Sequence, residues 1–165
     1  MSDRQLLKTV HVAASPDEVW RAWTTTKGIG SFFGPDARVQ LRPGGLYEIY
    51  FDAEEPEGLK GSEGCKVLSF VPSKMLSFTW GAPPQFPQAR KDIAQWVVIF
   101  LDASGDGTQV TLIELGWKDD AEGEAVYRYF DRAWTTVLAR LAHSFSVGPV
   151  DWKDLPYGSS QPIEG

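Results

Sequence analysis

The stretch EGEAVYRYFDRAWTTVLARLAHSF, residues 122–145, gives the clearest helical signal in the chain. It contains no proline, and its large apolar side chains recur at intervals of three and four residues. At about 100° per residue they fall on one stripe roughly 100° wide, which is typical of a helix lying lengthwise on a sheet. The stripe consists of Tyr127, Phe130, Trp134, Val137, Leu138, Leu141 and Phe145.

The segment before this helix predicts an antiparallel sheet. A first strand is followed, after a helical stretch, by six runs of alternating residues joined by loops of hairpin length. Consecutive hairpins imply antiparallel pairing, and the terminal helix must then cover one face. We therefore predict an α+β fold, in which a curved antiparallel sheet of about seven strands wraps on the long C-terminal helix. The predicted strands cover residues 6–13, 38–41, 46–51, 65–71, 75–80, 94–101 and 108–117.

Two short helices are predicted after the first strand, in SPDEVWRAWTTTKGIGSFFGP, residues 15–35. Ser15 suits the N-cap position, and Glu18 lies where a capping box places a carboxylate. The apolar face that follows, with Trp20 and Trp23, is expected to pack in the core. Phe32 and Phe33 follow in a turn broken by glycines, which predicts a mobile cavity mouth.

Composition bounds the class of protein. The 165 residues are expected to form one domain over 1–147, followed by a tail over 148–165 in which Trp152 and Tyr157 could dock back. A net charge of −6 with scattered basic residues argues against binding to nucleic acid or to an anionic membrane. The lone Cys65 cannot form an internal disulfide, and no apolar run is long enough to span a bilayer. These observations favour a cytoplasmic location.

The usual signatures of metal and cofactor chemistry are missing from the sequence. Two histidines, His11 and His143, and one cysteine are too few for a soft-metal site. The acidic residues of 52–64 have no calcium-loop spacing and predict a solvated loop. The sequence also lacks a phosphate loop, a dinucleotide motif and a nucleophile elbow. No metal site, cofactor or catalytic residue is therefore assigned.

Two carboxylates nevertheless stand on predicted elements of the cavity. Glu114 shares a strand face with Val110 and Leu112, but Ile113 and Leu115 form an equally good inward face. Asp131 lies at the edge of the helical stripe. A buried carboxylate costs several kcal/mol unless it is paired, so an inward Glu114 needs a partner or a ligand group. A salt bridge or plain exposure is the alternative for this residue.

Five segments together resemble a known superfamily: SPDEVWRAWT, PGGLYEIYF, GCKVLSFVPSKMLSFTW, DGTQVTLIELGW and FDRAWTTVLARLAHSF. In order and spacing they are similar to the START-like helix-grip (SRPBCC) superfamily, and most similar to homologues of the activator of heat-shock protein 90 ATPase. The similarity covers roughly residues 7–146. It implies a deep apolar cavity between the concave sheet and the last helix. Members of the superfamily use that cavity for lipids, sterols or polyketides, and a minority are cyclases or dehydratases.

The sequence therefore predicts the binding of a small hydrophobic molecule between the sheet and the last helix. Two alternatives stay open: an enzyme of the cyclase or dehydratase kind using Glu114 or Asp131, and a chaperone-associated interaction module with Phe86 and Trp152 on its surface. A homodimer is a further alternative, because WVVIFL, residues 96–101, is apolar on both faces. The predicted ligand-binding residues are Phe32, Phe33, Tyr47, Ile49, Phe51, Phe78, Trp80, Trp96, Glu114, Tyr127, Phe130 and Trp134.

Overall fold

The computed structural model describes residues 3–154 and contains seven strands and four helices in this part of the chain. The strands are β1 (Leu6–Val12), β2 (Asp36–Val39), β3 (Tyr47–Tyr50), β4 (Val67–Val71), β5 (Met75–Trp80), β6 (Gln95–Ser104) and β7 (Gly107–Leu115). The helices are α1 (Pro16–Thr24), α2 (Thr26–Gly30), α3 (Pro87–Asp92) and α4 (Ala121–Ser146). The predicted α+β class and the two short helices after the first strand are confirmed.

The strands form two sheets where one was predicted. Five of them pair antiparallel in the order β1-β7-β6-β5-β4, and β2 pairs with β3 as a separate hairpin. The hairpin reaches the larger sheet through an isolated bridge between Leu46 and Lys66. Its ladder does not continue, because the segment before β4 occupies the free edge of β3: Ser62 Oγ accepts the Ile49 N–H at 2.8 Å.

Helix α4 covers the concave face of the larger sheet as the stripe predicted. Asp120 caps its N-terminus by accepting the Gly123 N–H at 2.7 Å. Most of the stripe is buried, while Tyr127 and Phe145 lie half-buried at its edges. The concave face itself is apolar and built from alternate residues of adjacent strands. On β6 these are Val97, Ile99 and Leu101, and on β7 they are Val110 and Leu112.

The capping box at α1 is present, with Glu18 N–H donating to Ser15 Oγ and Ser15 N–H donating to the Glu18 carboxylate. Trp20 and Trp23 are buried, which confirms them as core residues. Phe32 and Phe33 are also core, with 0% and 1% of their surface exposed, so they do not form an exposed mouth. The turn that carries them is closed, because their backbone N–H groups both donate to the Ile29 carbonyl.

Helix α3 lies between the predicted strands 75–80 and 94–101, where no helix was predicted. It has only six residues and no apolar stripe, so the sequence pattern does not reveal it. A long-range contact supports its first turn, since Ala89 N–H donates to Glu122 on α4 at 2.8 Å. Of the two aromatic residues predicted in the tail, Trp152 donates its indole N–H to the Gly30 carbonyl at 2.6 Å, and Tyr157 lies outside the described residues. Among residues 3–154, no helix is long and apolar enough to cross a membrane.

Candidate ligand pocket

A pocket of about 410 Å³ opens between α4 and one end of the larger sheet. Three parts of the chain surround it: the loop after β3, the loop between β5 and α3, and the middle of α4. Its inner end is formed by four rings, which we call the aromatic floor: Phe33, Trp80, Phe130 and Trp134. Pockets of roughly 300–1,000 Å³ are the usual size for small-molecule sites.

The aromatic floor is one continuous set of ring contacts. Phe33, Trp80 and Trp134 contact one another with centroids 5.5–5.7 Å apart, and Phe130 stacks on Trp134 at 6.2 Å. These rings come from three elements that meet only in the folded chain: the turn after α2, the end of β5 and the centre of α4. All four are at least 95% buried, so the floor is a wall of the core that faces the pocket.

The rim of the pocket is held by Arg90 of α3. Its guanidinium donates to the carbonyl oxygens of Gly58 at 2.6 Å, Gly61 at 2.8 Å and Ala82 at 2.9 Å. It also lies 3.4 Å from the Glu63 carboxylate. One planar side chain with several donors thereby fastens both loops around the opening.

Gly61 allows one of those loops to lie directly on β3. A Cβ atom at this position would stand 1.9 Å from the Ile49 carbonyl oxygen, so no other residue fits without moving the backbone. Further polar groups face the pocket from its outer part: Asp52, Glu55, Lys60, Gln85, Tyr129 and Arg132. The pocket therefore combines an apolar inner end with a charged and polar opening.

Glu114 lies behind the aromatic floor, on the concave face of β7. The alternation places Val110, Leu112 and Glu114 inward and leaves Ile113 and Leu115 on the half-buried outer side, which decides between the two faces predicted. The Glu114 carboxyl is fully buried, and its Oε1 accepts the Trp134 indole N–H at 2.6 Å. Burial raises the pKa of Glu114 to about 8, although the bond from Trp134 works against that rise.

The structure distributes the predicted ligand-binding residues over five places. Those that line the pocket are Phe33, Phe51, Trp80, Phe130 and Trp134, and those packed in the core away from it are Phe32, Tyr47, Ile49 and Phe78. Trp96 lies on the outer face of the sheet, out of phase with the buried Val97. Tyr127 packs on Trp117, with the Arg4 guanidinium 3.4 Å above its ring. Glu114 is separated from the pocket by Trp134.

Several other predicted candidates do not reach the pocket. Asp131, proposed as an acid or base, is half exposed and pairs with Lys8 at 2.7 Å on the surface. Both histidines are exposed, and no group of three or more metal-binding side chains occurs among residues 3–154. Phe86 and Trp152, proposed as an interaction surface, are each half-buried against the domain.

Sequence reasoning missed the residues that loops and small side chains contribute. Arg90, Gly61 and Ala82 lie in segments without periodicity, and only the fold brings them to the pocket. Ala133 and Val137 were within reach of prediction, since they stand four residues apart on the same face of α4. A helical-wheel search for small residues beside the aromatic stripe would have found Ala133.

Comparison with known proteins agrees with this architecture. Residues 13–146 match the family model of Activator of Hsp90 ATPase homolog 1-like protein. Among solved structures, a protein from Mesorhizobium loti aligns with a TM-score of 0.68 and 21% identity over 85% of this chain and 95% of its own. The Aha1 dimer from Colwellia psychrerythraea aligns with a TM-score of 0.67 and 18% identity over 88% of this chain and 98% of its own.

A third solved structure belongs to a larger protein. DynU16, described as a putative protein in the dynemicin biosynthetic locus, aligns with a TM-score of 0.66 and 20% identity over 90% of this chain and 49% of its own. At these identities the solved structures show a shared fold. No curated protein matches the chain.

Proposed function

The chain belongs to the family of Activator of Hsp90 ATPase homolog 1-like proteins, and we propose that it binds a small, mostly apolar molecule in the pocket between α4 and the sheet. The observation that carries this proposal is the aromatic floor beneath a pocket of about 410 Å³. Four large rings at the inner end of an open pocket favour a ligand with a ring or branched hydrocarbon body.

Burial of apolar ligand surface supplies the binding energy in this proposal. At about 25 cal/mol per Å², covering 200 Å² of ligand surface contributes roughly 5 kcal/mol before the entropic cost of association. The polar rim then sets the orientation. Charged side chains of both signs stand at the opening, Asp52 and Glu55 beside Lys60 and Arg132, so the more polar part of the ligand surface faces outward while its apolar body contacts the floor.

A filled-pocket variant tests the proposal. Ala133 lines the pocket on α4, and Ala133→Phe places a ring in the space that the ligand would occupy. The matched control is Ala139→Phe, on the same helix but exposed to solvent. The probe is 1-anilinonaphthalene-8-sulfonate, whose fluorescence rises on transfer to an apolar site. We expect saturable binding to the wild type and to the control, and at least a tenfold weaker affinity for Ala133→Phe. Equal binding to all three proteins would contradict the proposal.

Two partner predictions and a location accompany this function. One solved relative is a dimer, and Phe100 on the outer face of β6 is 39% exposed, so a homodimer stays a prediction that light scattering can measure. The chaperone partner rests on the family relationship, and co-purification with a chaperone would support it. The cytoplasmic location rests on the lone buried thiol of Cys65, which needs no oxidising compartment.

A further inference from the structure

Three polar atoms in and around the aromatic floor are buried without a hydrogen-bond partner. Among residues 3–154, these are the indole nitrogens of Trp23 and Trp80 and Oε2 of Glu114. Their side chains are connected by contacts, because the Phe33 ring contacts the rings of Trp23, Trp80 and Trp134, and Trp134 donates a hydrogen bond to Glu114. Each unpaired buried polar atom costs about 1–3 kcal/mol, so a cluster of them needs an explanation.

The protonation state of Glu114 decides what kind of partner is missing. Its cross-strand neighbours are the apolar Leu6 and Val97, and burial raises its pKa to about 8. Full burial between apolar neighbours favours the neutral carboxyl over the carboxylate. Since Oε1 accepts from Trp134, the proton resides on Oε2. All three unpaired atoms are then hydrogen-bond donors without an acceptor.

Unpaired hydrogen-bond donors in an apolar wall favour a ligand that carries an acceptor oxygen. An anionic acceptor is disfavoured here, because the floor consists of aromatic rings and transfer of a charge into such surroundings is expensive. An uncharged carbonyl oxygen offers two lone pairs and costs much less to bury. A ketone, lactone or quinone oxygen therefore fits these donors better than a carboxylate does.

We propose that the pocket takes an uncharged ligand whose buried end is a carbonyl oxygen, bound by the Trp80 indole N–H and the Glu114 carboxyl when the rings of Trp80 and Trp134 separate. This inference rests on the proposed function, and it adds the chemical class of the ligand. The centroids of the Trp80 and Trp134 rings stand 5.5 Å apart at the inner end of the pocket. Glu114 lies behind Trp134 and accepts a hydrogen bond from its indole N–H. Glu114 is thus a specificity-determining residue that the ligand reaches only from the pocket.

Three naphthalene probes of similar size test the inference by displacing 1-anilinonaphthalene-8-sulfonate. 2-Acetylnaphthalene carries the carbonyl, 2-isopropenylnaphthalene replaces its oxygen by a CH₂ group, and 2-naphthoate carries a charge. We expect the wild type to bind the ketone about tenfold more tightly than the hydrocarbon, as one buried hydrogen bond implies. The naphthoate is expected to bind more weakly than the ketone.

Variants of Glu114 test whether this residue causes the preference for the ketone over the hydrocarbon. Glu114→Leu removes one of the two donors and should reduce the preference for the ketone at least threefold, whereas Glu114→Gln keeps an N–H donor and should retain the preference. Thr108→Val removes a buried hydrogen bond to the Ala14 carbonyl at the far end of β7 and should leave the preference unchanged. Chemical unfolding of each variant confirms that it is folded before titration.

The outcomes separate the two proposals. If neither the ketone nor the hydrocarbon binds the wild type, pocket binding of apolar molecules fails, and this inference fails with it. If both bind equally, the pocket function stands and the carbonyl inference is overturned. A preference for the ketone that is undiminished in Glu114→Leu would also overturn it.

Discussion

The phenol of Tyr47 donates a hydrogen bond of 2.7 Å to the backbone carbonyl of Trp23, joining β3 to α1 across the core. Tyr47 is fully buried, stacks on Phe78 at 4.3 Å, and has its pKa raised by burial. The small β2–β3 hairpin meets the larger sheet through an isolated bridge, and this bond ties the hairpin to the first helix as well. Phe33 contacts both Trp23 and the pocket-lining Phe51, which connects this junction to the pocket.

Removal of this hydroxyl should lower stability without changing the core volume. We expect Tyr47→Phe to reduce the free energy of unfolding by about 1–2 kcal/mol, because the Trp23 carbonyl loses its buried donor. Chemical denaturation monitored by tryptophan fluorescence measures the change. Tyr50→Phe is the matched control, since Tyr50 is half-exposed on the same strand, and it should change the stability by less than about 0.5 kcal/mol.

Replacement of Arg90 should loosen the pocket rim. Arg90→Lys keeps the charge but cannot reproduce three directed bonds to carbonyl oxygens, so we expect a loss of about 1–2 kcal/mol in unfolding free energy and weaker binding of 1-anilinonaphthalene-8-sulfonate. The neighbouring Lys91 is exposed, and Lys91→Ala should leave both quantities unchanged. If Arg90→Lys matches the wild type in stability and in probe binding, the bonds seen at the rim contribute little.

Stability should depend on pH through Glu114. Its pKa is about 8 in the folded protein and 4.5 as the ordinary value, so the folded state holds a proton that the unfolded state releases between these values. Folding stability from this group is fully present below pH 4.5 and is lost as the pH rises towards 8, by an amount on the order of a few kcal/mol. Unfolding free energies at pH 5, 6.5 and 8 measure the loss.

Glu114→Gln provides the comparison for this prediction, because it removes the titration and keeps the shape of the side chain. The variant should gain stability relative to the wild type as the pH rises from 5 to 8. Parallel pH profiles for the two proteins would show that the Glu114 pKa is close to its ordinary value in the folded state.

Cys65 should be inert in the folded protein. The thiol is buried, and burial raises its pKa to about 12 from 9, so the reactive thiolate is about a thousandfold scarcer than in an exposed cysteine. We expect reaction with a disulfide reagent at pH 8 to be at least a thousandfold slower than in denaturant. Because the chain has one cysteine, the residual rate would report the opening of the fold. Rapid labelling without denaturant would contradict the burial of this side chain.

The helices and strands with strong periodicity could be predicted from the sequence, because their signals are local. The Ser15 and Glu18 cap, β5 and the stripe of α4 depend on neighbours within a few residues. Helix α3 and the separation of β2–β3 from the larger sheet depend on distant partners, Glu122 and Ser62 respectively. Periodicity carries no information about such contacts.

The candidate site likewise contains residues that local sequence patterns predict and residues that only distant contacts bring to it. The rings of Trp80, Phe130 and Trp134 were found by their spacing on β5 and α4. Trp96 and Tyr127 have spacing that equally suggests a place in the pocket. Trp96 instead lies on the outer face of β6, and Tyr127 lies at the edge of the stripe of α4. The rim of the pocket could not be predicted, because Arg90 belongs to helix α3, which the sequence pattern does not predict.

The segment after α4 returns to the turn that supports the aromatic floor. Val150 N–H donates to the Ser31 carbonyl at 2.9 Å and Trp152 to that of Gly30, the two residues directly before Phe32 and Phe33. The segment therefore holds the backbone of this turn in place at the inner wall of the pocket. Shortening the chain at residue 147 to aid crystallisation would remove both hydrogen bonds. A ligand-binding assay on the shortened protein would then measure a less rigid pocket than that of the full chain.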